Sequence, residues 1–337
     1  MITISRTART HDGSSWRCLA FLAAAALVGC KPVKLDWAHP VAAPVTVSLD
    51  SLTALVNARI VASGATVGFY FRDLAKPDSL AINADLRVHA ASTMKVPVMI
   101  QVFRDVEAGQ LSLDQRLTVT NDFRSFADSS PYRLDRADDS DSSLYGQVGR
   151  PVSVRDLVRL MITVSSNLAT NTLIERVGAA RVMATLRALG IDSVAVLRGV
   201  EDGVAYRAGI NNTLTARGLG QVFAAIADGR AAGATSCARM MDVLLDQHFN
   251  EGIPAGLPQG TRVAHKTGEL TGLHHDGGVV FVDGRPRYIL IVLTRGLEDR
   301  ARSSRLIADL AGMVNQHVVP PPPPPPGSRI VQPAARP

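Results

Sequence analysis

Strand-like segments occur in two groups far apart along this chain, and that separation constrains its fold more than any other feature. Near the start, Thr66 to Arg72 and Ser79 to Ala84 read as strands behind a helix over Leu52 to Ala62. Near the end, Thr261 to Leu270, Gly277 to Val282 and Tyr288 to Thr294 read as three more. A last helix from about Glu298 to Gln316 carries Leu306, Ile307, Leu310 and Met313 at helical spacing. Helical patterns dominate the interval up to about Gln247. Early and late strands can pair into one antiparallel sheet. The expectation is an α/β (α+β) class: a five-stranded sheet flanked by terminal helices, with the middle of the chain forming an all-helical lobe. Residues 48–318 are long enough to bury one substantial core.

Three short motifs fall in order along that frame: Ser92-Thr93-Met94-Lys95, Ser165-Ser166-Asn167 and Lys266-Thr267-Gly268. The chain has 36 Lys and Arg together, yet lysine occurs only at 31, 34, 76, 95 and 266, so two of its few lysines fall inside motifs. An amine can lose its proton and act as a base, whereas a guanidinium stays charged. Ser92 and Lys95, three residues apart, lie on one helical face, which puts the amine within reach of the hydroxyl. Val96, Met99, Ile100 and Phe103 place them at the start of a buried helix, whose free N–H groups suit a developing oxyanion. Ser165 follows a helix capped by Ser153 and marked by Leu157, Leu160, Met161 and Val164. It can relay a proton to a leaving nitrogen while the Asn167 amide holds a substrate amide. The same Ser-Ser-Asn is also compatible with a plain helix-ending turn. In the third motif Lys266 and Thr267 suit a substrate carboxylate, and Gly268 allows close backbone approach. The N–H of Glu269 would then join that of Ser92 as the second oxyanion donor.

With Lys95-Val96-Pro97 after the first motif and Val152-Ser153-Val154-Arg155-Asp156-Leu157 opening the next long helix, residues 48–318 resemble a class A β-lactamase or a close relative among the penicillin-recognising serine enzymes. The resemblance implies a β-lactamase/transpeptidase-like fold and a serine acyl-transfer reaction on a β-lactam or peptidoglycan-like substrate, with no cofactor. It makes Ser92 the acylated nucleophile, Lys95 its activating lysine, and Ser165 and Asn167 the proton-relay and substrate-amide positions. Lys266 and Thr267 become the carboxylate-binding residues. It also implies a glutamate on a downstream loop that activates water for deacylation, and Glu201 lies at about the expected interval.

The sequence departs from that pattern mainly around deacylation. Val204 and Ala205 stand where the family has a Leu-Asn pair whose Asn helps hold the water. Gly199 and Asn212 stand near the positions of a loop-closing Arg and Asp pair, with Arg198, Arg207, Asn211 and Asn212 as candidate substitutes. Ser166 replaces the usual motif Asp. Glu201 is therefore either the deacylation base or part of an acidic surface turn, Gly199 to Gly203. These departures keep two alternatives open, a D-alanyl-D-alanine peptidase and a slowly deacylating penicillin-binding or sensing protein. Phe123 to Gly149, rich in Ser and Asp and carrying Tyr132 and Tyr145, reads as a solvated insertion, with a substrate-facing lid as the alternative.

His274-His275-Asp276 has no matched ligand set at zinc spacing, so it reads as a polar strand edge, with one histidine turned to the cleft as the alternative. A formal net charge of +6 with no basic run interleaved with aromatics gives no case for nucleic acid. Arg6, Arg9 and Arg17 precede an apolar run from Cys18 to Gly29, too short to span a bilayer and ending at Cys30. Residues 1–29 resemble a lipoprotein signal, with lipid on Cys30. The alternative is an ordinary secretory signal. Cys237 then remains alone, so no intrachain disulfide is expected. Residues 30–47 read as a tether and the proline-rich 319–337 as a tail. With Lys31 after Cys30, the expectation is a periplasmic, membrane-anchored monomer, on the outer membrane if the host has one.

Overall fold

The computed structural model describes residues 47–319. Cys30, the 1–29 leader, nearly all of the 30–47 tether and nearly all of the 319–337 tail lie outside the described residues. Helix α1 (Leu49–Ser63) starts where the Ser48 side chain accepts from the N–H of Ser51, and it ends at Gly64 in the left-handed region. Strands β1 (Thr66–Asp73) and β2 (Ser79–Ile82) follow. Seven helices come next: α2 (Lys95–Glu107), α3 (Val154–Thr163), α4 (Asn167–Val177), α5 (Ala179–Ala188), α6 (Gly203–Arg207), α7 (Ala216–Ala227) and α8 (Ala234–Leu245). The chain then returns as β3 (Val263–Leu270), β4 (Leu273–Val282) and β5 (Arg285–Arg295), and closes with α9 (Arg300–Val318).

The five strands form one antiparallel sheet in the order β3-β4-β5-β1-β2, so the two distant strand groups join where β1 pairs β5 from Thr66↔Arg295 to Asp73↔Tyr288. Tight turns fix the late strands. Asp283 and Gly284 between β4 and β5 both have positive φ, which a two-residue hairpin turn requires. β5 lies at the centre and is apolar at every position from Tyr288 to Leu293, because both faces are covered. Tyr288, Leu290 and Val292 pack with Leu52 and Val56 of α1 and Leu306 and Leu310 of α9, while Ile289, Ile291 and Leu293 pack with the helical lobe. Period-2 alternation thus divides two cores across one sheet. The lobe is built around α2, whose residues Lys95 to Phe103 are all buried. Among the described residues no helix is long and apolar enough to cross a membrane.

One sequence expectation needs correction and another needs refining. His274, His275 and Asp276 are not at an edge; they lie within β4, second in the sheet, and are buried. The 123–149 segment is exposed over most of its length, as expected of a solvated insertion, but it is anchored to the lobe. It forms a short hairpin, Phe123–Arg124 against Pro131–Tyr132, and a 3-10 helix at Leu144–Gln147, and it sinks Phe123, Leu134 and Leu144 into the lobe core.

Candidate active site

Ser92 sits in a 3-10 turn, Ala91–Met94, that runs straight into α2. Ala91 just before it has φ +45°, a left-handed conformation that costs a non-glycine residue about 1–3 kcal/mol. Local bonds hold the turn against that cost. The N–H of Ala91 donates to His89 Nδ1 at 3.0 Å, Thr93 Oγ1 donates to the Ala90 carbonyl at 2.6 Å, and the N–H of Ala90 donates to the Asn212 carbonyl at 2.9 Å. Strand β3 closes on the other side. A Cβ at Gly268 would lie 3.1 Å from the Ser92 nitrogen and 3.2 Å from the Ala91 Cβ, so only glycine lets the strand approach the serine N–H so closely.

Beside the turn, two buried amines share one hydroxyl. Lys95 Nζ donates to the Ser165 carbonyl at 2.6 Å, to Ser165 Oγ at 3.1 Å and to Asn167 Oδ1 at 2.8 Å. Lys266 Nζ donates to the same Ser165 Oγ at 3.1 Å and to its neighbouring Thr267 carbonyl at 3.0 Å. Both lysines are fully buried. Burial pulls Lys95 down to about 7, against the upward pull of the Asp139 and Glu201 carboxylates. Burial and the charge of Lys95 push Lys266 well down too. Three acceptors use all three protons of a Lys95 ammonium. When one proton leaves, the Ser165 hydroxyl is the contact that can reverse, because it alone both donates and accepts. Ser165 has φ +59° and stands in the sharp turn between α3 and α4, so the second motif joins two helices rather than simply ending one. Ser166 caps α4 from a fully buried position, its Oγ accepting from the N–H of Ala169.

Asn167 links the amines to Glu201, its Nδ2 donating to Glu201 Oε1 at 2.7 Å. Glu201 is exposed as a residue, but its carboxylate faces the cleft, where desolvation raises its pKa and the Asn167 bond opposes that rise. It too has positive φ, +59°. Its loop is pinned at several points. Asn171, one helical turn beyond Asn167, accepts from the N–H of Val200 at 2.8 Å and donates to its carbonyl at 3.1 Å and to Tyr132 Oη at 3.2 Å. Asp202 accepts from Ser125 Oγ and from the N–H groups of Phe126 and Ala205. The neck is closed by Asn212, whose Oδ1 accepts from the N–H groups of Leu197 and Arg198 and whose Nδ2 donates to the Arg198 carbonyl. Of the candidate substitutes for an ion pair, Asn212 thus does the work through hydrogen bonds, with Arg198 adding a bond to the Gly199 carbonyl at 3.0 Å.

The chain that carries Ser92, Lys95, Ser165, Asn167, Lys266 and Glu201 is similar in sequence and in fold to known proteins. The sequence matches the Beta-lactamase enzyme family over residues 51–318. The chain belongs to that family. It is 27% identical over 256 residues to a β-lactamase of Streptomyces fradiae, covering 74% of this chain and 80% of that one. A β-lactamase structure from Sphaerobacter thermophilus is 29% identical with a TM-score of 0.70, covering 82% of this chain and 100% of that chain. A point mutant of PBP-A, solved as an acyl-enzyme complex with penicillin G, is 27% identical with a TM-score of 0.67, covering 80% and 94%. An ancestral class A β-lactamase is 25% identical with a TM-score of 0.68, covering 78% and 98%.

The remaining positions of this β-lactamase family member are less uniform. Thr267 is buried on β3, while Glu269 is exposed and its carboxylate pairs with Arg300 at 3.1 Å. His265 Nδ1 and Asp276 Oδ1 lie 2.8 Å apart, and His275 Nε2 donates to the His89 carbonyl at 3.0 Å; burial lowers the His275 pKa to about 4. Among the described residues no cluster of three or more His, Cys, Asp or Glu is arranged to hold a metal. Val204 and Ala205 lie in α6, with Ala205 fully buried. Two site residues escaped the sequence reading. Asn171 carried a usable signal, since it lies four residues after Asn167 on the same helix face. Asp139, whose carboxylate accepts from the N–H groups of Asn167 and Leu168, carried none beyond its place in an Asp-rich run.

Proposed function

We propose that this chain hydrolyses β-lactams through an acyl-enzyme on Ser92. The observation that carries this reading is the Ser165 hydroxyl held between the two buried amines of Lys95 and Lys266, with Glu201 joined to the same network through Asn167. Neutral Lys95 takes the Ser92 proton as Oγ attacks the lactam carbonyl carbon. The N–H groups of Ser92 and Glu269 receive the developing oxyanion. As the lactam C–N bond breaks, the nitrogen takes the Ser165 proton, and an ammonium beside Ser165 returns one to it. Lys266 and Thr267 bind the substrate carboxylate. Glu201 then takes a proton from water, the water oxygen attacks the ester carbon, and as the ester C–O bond breaks that proton passes from Glu201 to Ser92 Oγ, which leaves as the hydroxyl. A fluorescent penicillin should label the wild type covalently, and Ser92→Ala should not be labelled. Labelling of Ser92→Ala at the wild-type rate would refute the assignment.

A second reading, a penicillin acceptor that deacylates slowly, is favoured by one observation: Ala205 offers no side-chain amide to hold a water beside Glu201. The lifetime of the adduct separates the two. A slow acceptor keeps it for hours, a hydrolase clears it within seconds. We further propose that residues 48–318 form the catalytic unit and that lipid on Cys30 tethers it to a membrane in the periplasm. Cys30→Ser should move the exported protein to the soluble fraction or block its processing. A wild type that already fractionates as soluble would exclude the anchor.

A further inference from the structure

The most completely bonded carboxylate in the cleft belongs to none of the three motifs. Asp139 comes from the 123–149 segment and is 8% exposed. Its oxygens accept from the N–H of Asn167 at 2.9 and 3.0 Å, the N–H of Leu168 at 2.9 Å, the N–H of Asp141 at 3.1 Å and the Tyr145 hydroxyl at 3.2 Å. Among the described residues no Lys, Arg or His forms an ion pair with it. A buried charge without an ion pair is costly unless fully hydrogen-bonded. Here the first N–H groups of α4 and the positive end of its dipole meet that need. Helix α4 is therefore capped twice, by Ser166 Oγ at Ala169 and by Asp139 at its first two residues.

The consequence reaches the catalytic groups through Asn167. Its backbone is what Asp139 grips, and its side chain spans Lys95 on one side and Glu201 on the other, at 2.8 and 2.7 Å. We infer that Asp139 is a positioning residue of the acylation site: it fixes the backbone from which Asn167 bridges Lys95 and Glu201, and it sets a carboxylate against the buried Lys95 amine. The inference rests on the Ser92 reading above. It also assigns the 123–149 segment a function, because that segment delivers a carboxylate to the helix that follows the second motif.

The charged groups facing Lys95 are Lys266 from β3, Glu201 from its loop and Asp139, with Tyr145 and Asp135 behind the two carboxylates. With Glu201, Asp139 holds Lys95 up against burial. Removing its charge lets Lys95 fall further, so more of the amine is neutral at a given pH. Asp139→Asn keeps the shape and loses the charge, and its amide can accept from α4 through only one oxygen.

The test is the rate of covalent labelling of the full chain by a fluorescent penicillin between pH 5 and 9, with thermal melting alongside. For Asp139→Asn the acid limb should move to lower pH by on the order of one unit, and the plateau rate should fall. A residue that merely capped α4 would lower the melting temperature and the plateau and leave the midpoint at its wild-type value, and that outcome overturns the inference. Should Asp139→Asn fail to fold, the double variant Asp139→Asn/Ser166→Asp returns a carboxylate to the N-cap of the same helix. Its midpoint should match the wild type, and a midpoint below wild type overturns the inference. A wild type that is not labelled at any pH is a failure of the Ser92 reading instead.

Discussion

Gly268→Ala isolates the approach of β3 to the nucleophile. The added Cβ would meet the Ser92 nitrogen at 3.1 Å, Thr93 Cγ2 at 3.1 Å and the Ala91 Cβ at 3.2 Å. All three neighbours belong to the strained turn itself, and two of them, the Ser92 nitrogen and the Ala91 Cβ, have no rotamer by which to yield, so β3 and the turn must part by a few tenths of an ångström. Two effects then oppose each other in stability. Replacing a glycine restricts the unfolded chain and stabilises by about 0.4–1 kcal/mol, while the overpacked contact costs about 1–3 kcal/mol. The net loss should be about 1 kcal/mol, a fall of a few degrees in melting temperature. The rate should suffer more, because in the proposed reaction the Ser92 N–H receives the oxyanion. Losing an oxyanion donor costs about 100- to 1000-fold, and a displacement of a few tenths of an ångström should cost about 10-fold in the acylation rate constant. Stopped-flow acylation by a penicillin measures it, with Gly146→Ala, which has open space around it, as the control. Acylation of Gly268→Ala at the wild-type rate would refute the close approach of β3 to Ser92.

Lys95 must be neutral to act as the base, and with its pKa near 7 about one-tenth is neutral at pH 6 and about nine-tenths at pH 8. Acylation of the wild type should therefore rise about tenfold across that interval. A rate that falls with pH would contradict the role. Asn171→Ala removes both bonds to Val200 and should cost about 2 kcal/mol of stability. By loosening the Glu201 loop it should slow deacylation more than acylation, as separate single-turnover measurements would report. Asn212→Ala leaves the N–H groups of Leu197 and Arg198 and the Arg198 carbonyl without their partner. Chemical denaturation should show a loss of about 2–3 kcal/mol.

The sheet was legible because β5 and its neighbours carry long apolar runs and the terminal helices carry clean spacing. Ser92, Lys95, Ser165, Asn167 and Lys266 stand out in the sequence because each sits in a short motif, and the fold joins the last four by hydrogen bonds. What escaped depends on chain-distant contacts. The Asp-rich stretch from Asp135 to Asp141 has the composition of a solvated loop, and nothing local shows that Asp139 turns onto a helix end. His274, His275 and Asp276 read as polar and hence peripheral, yet β4 buries them, pairing Asp276 with His265 and His275 with the His89 carbonyl. Asn212 was one candidate among several for closing the Glu201 loop. Only the folded chain shows that an amide, which both donates and accepts, can replace an ion pair there. The positive φ angles of Ala91, Ser165 and Glu201 mark three segments of the candidate site, and none of those residue types announces such a conformation.

In the proposed reaction Ser92 is acylated and Glu201 directs water to release it. Intact-mass spectrometry over time after mixing with one equivalent of benzylpenicillin tests both halves in the wild type and in Glu201→Gln. The expected result is a penicilloyl adduct that disappears within seconds from the wild type and persists for at least a hundred times longer, on the order of the loss of one positioned base, in Glu201→Gln. Equal adduct lifetimes in the two proteins would contradict the role of Glu201, and the absence of any adduct in both would contradict the role of Ser92.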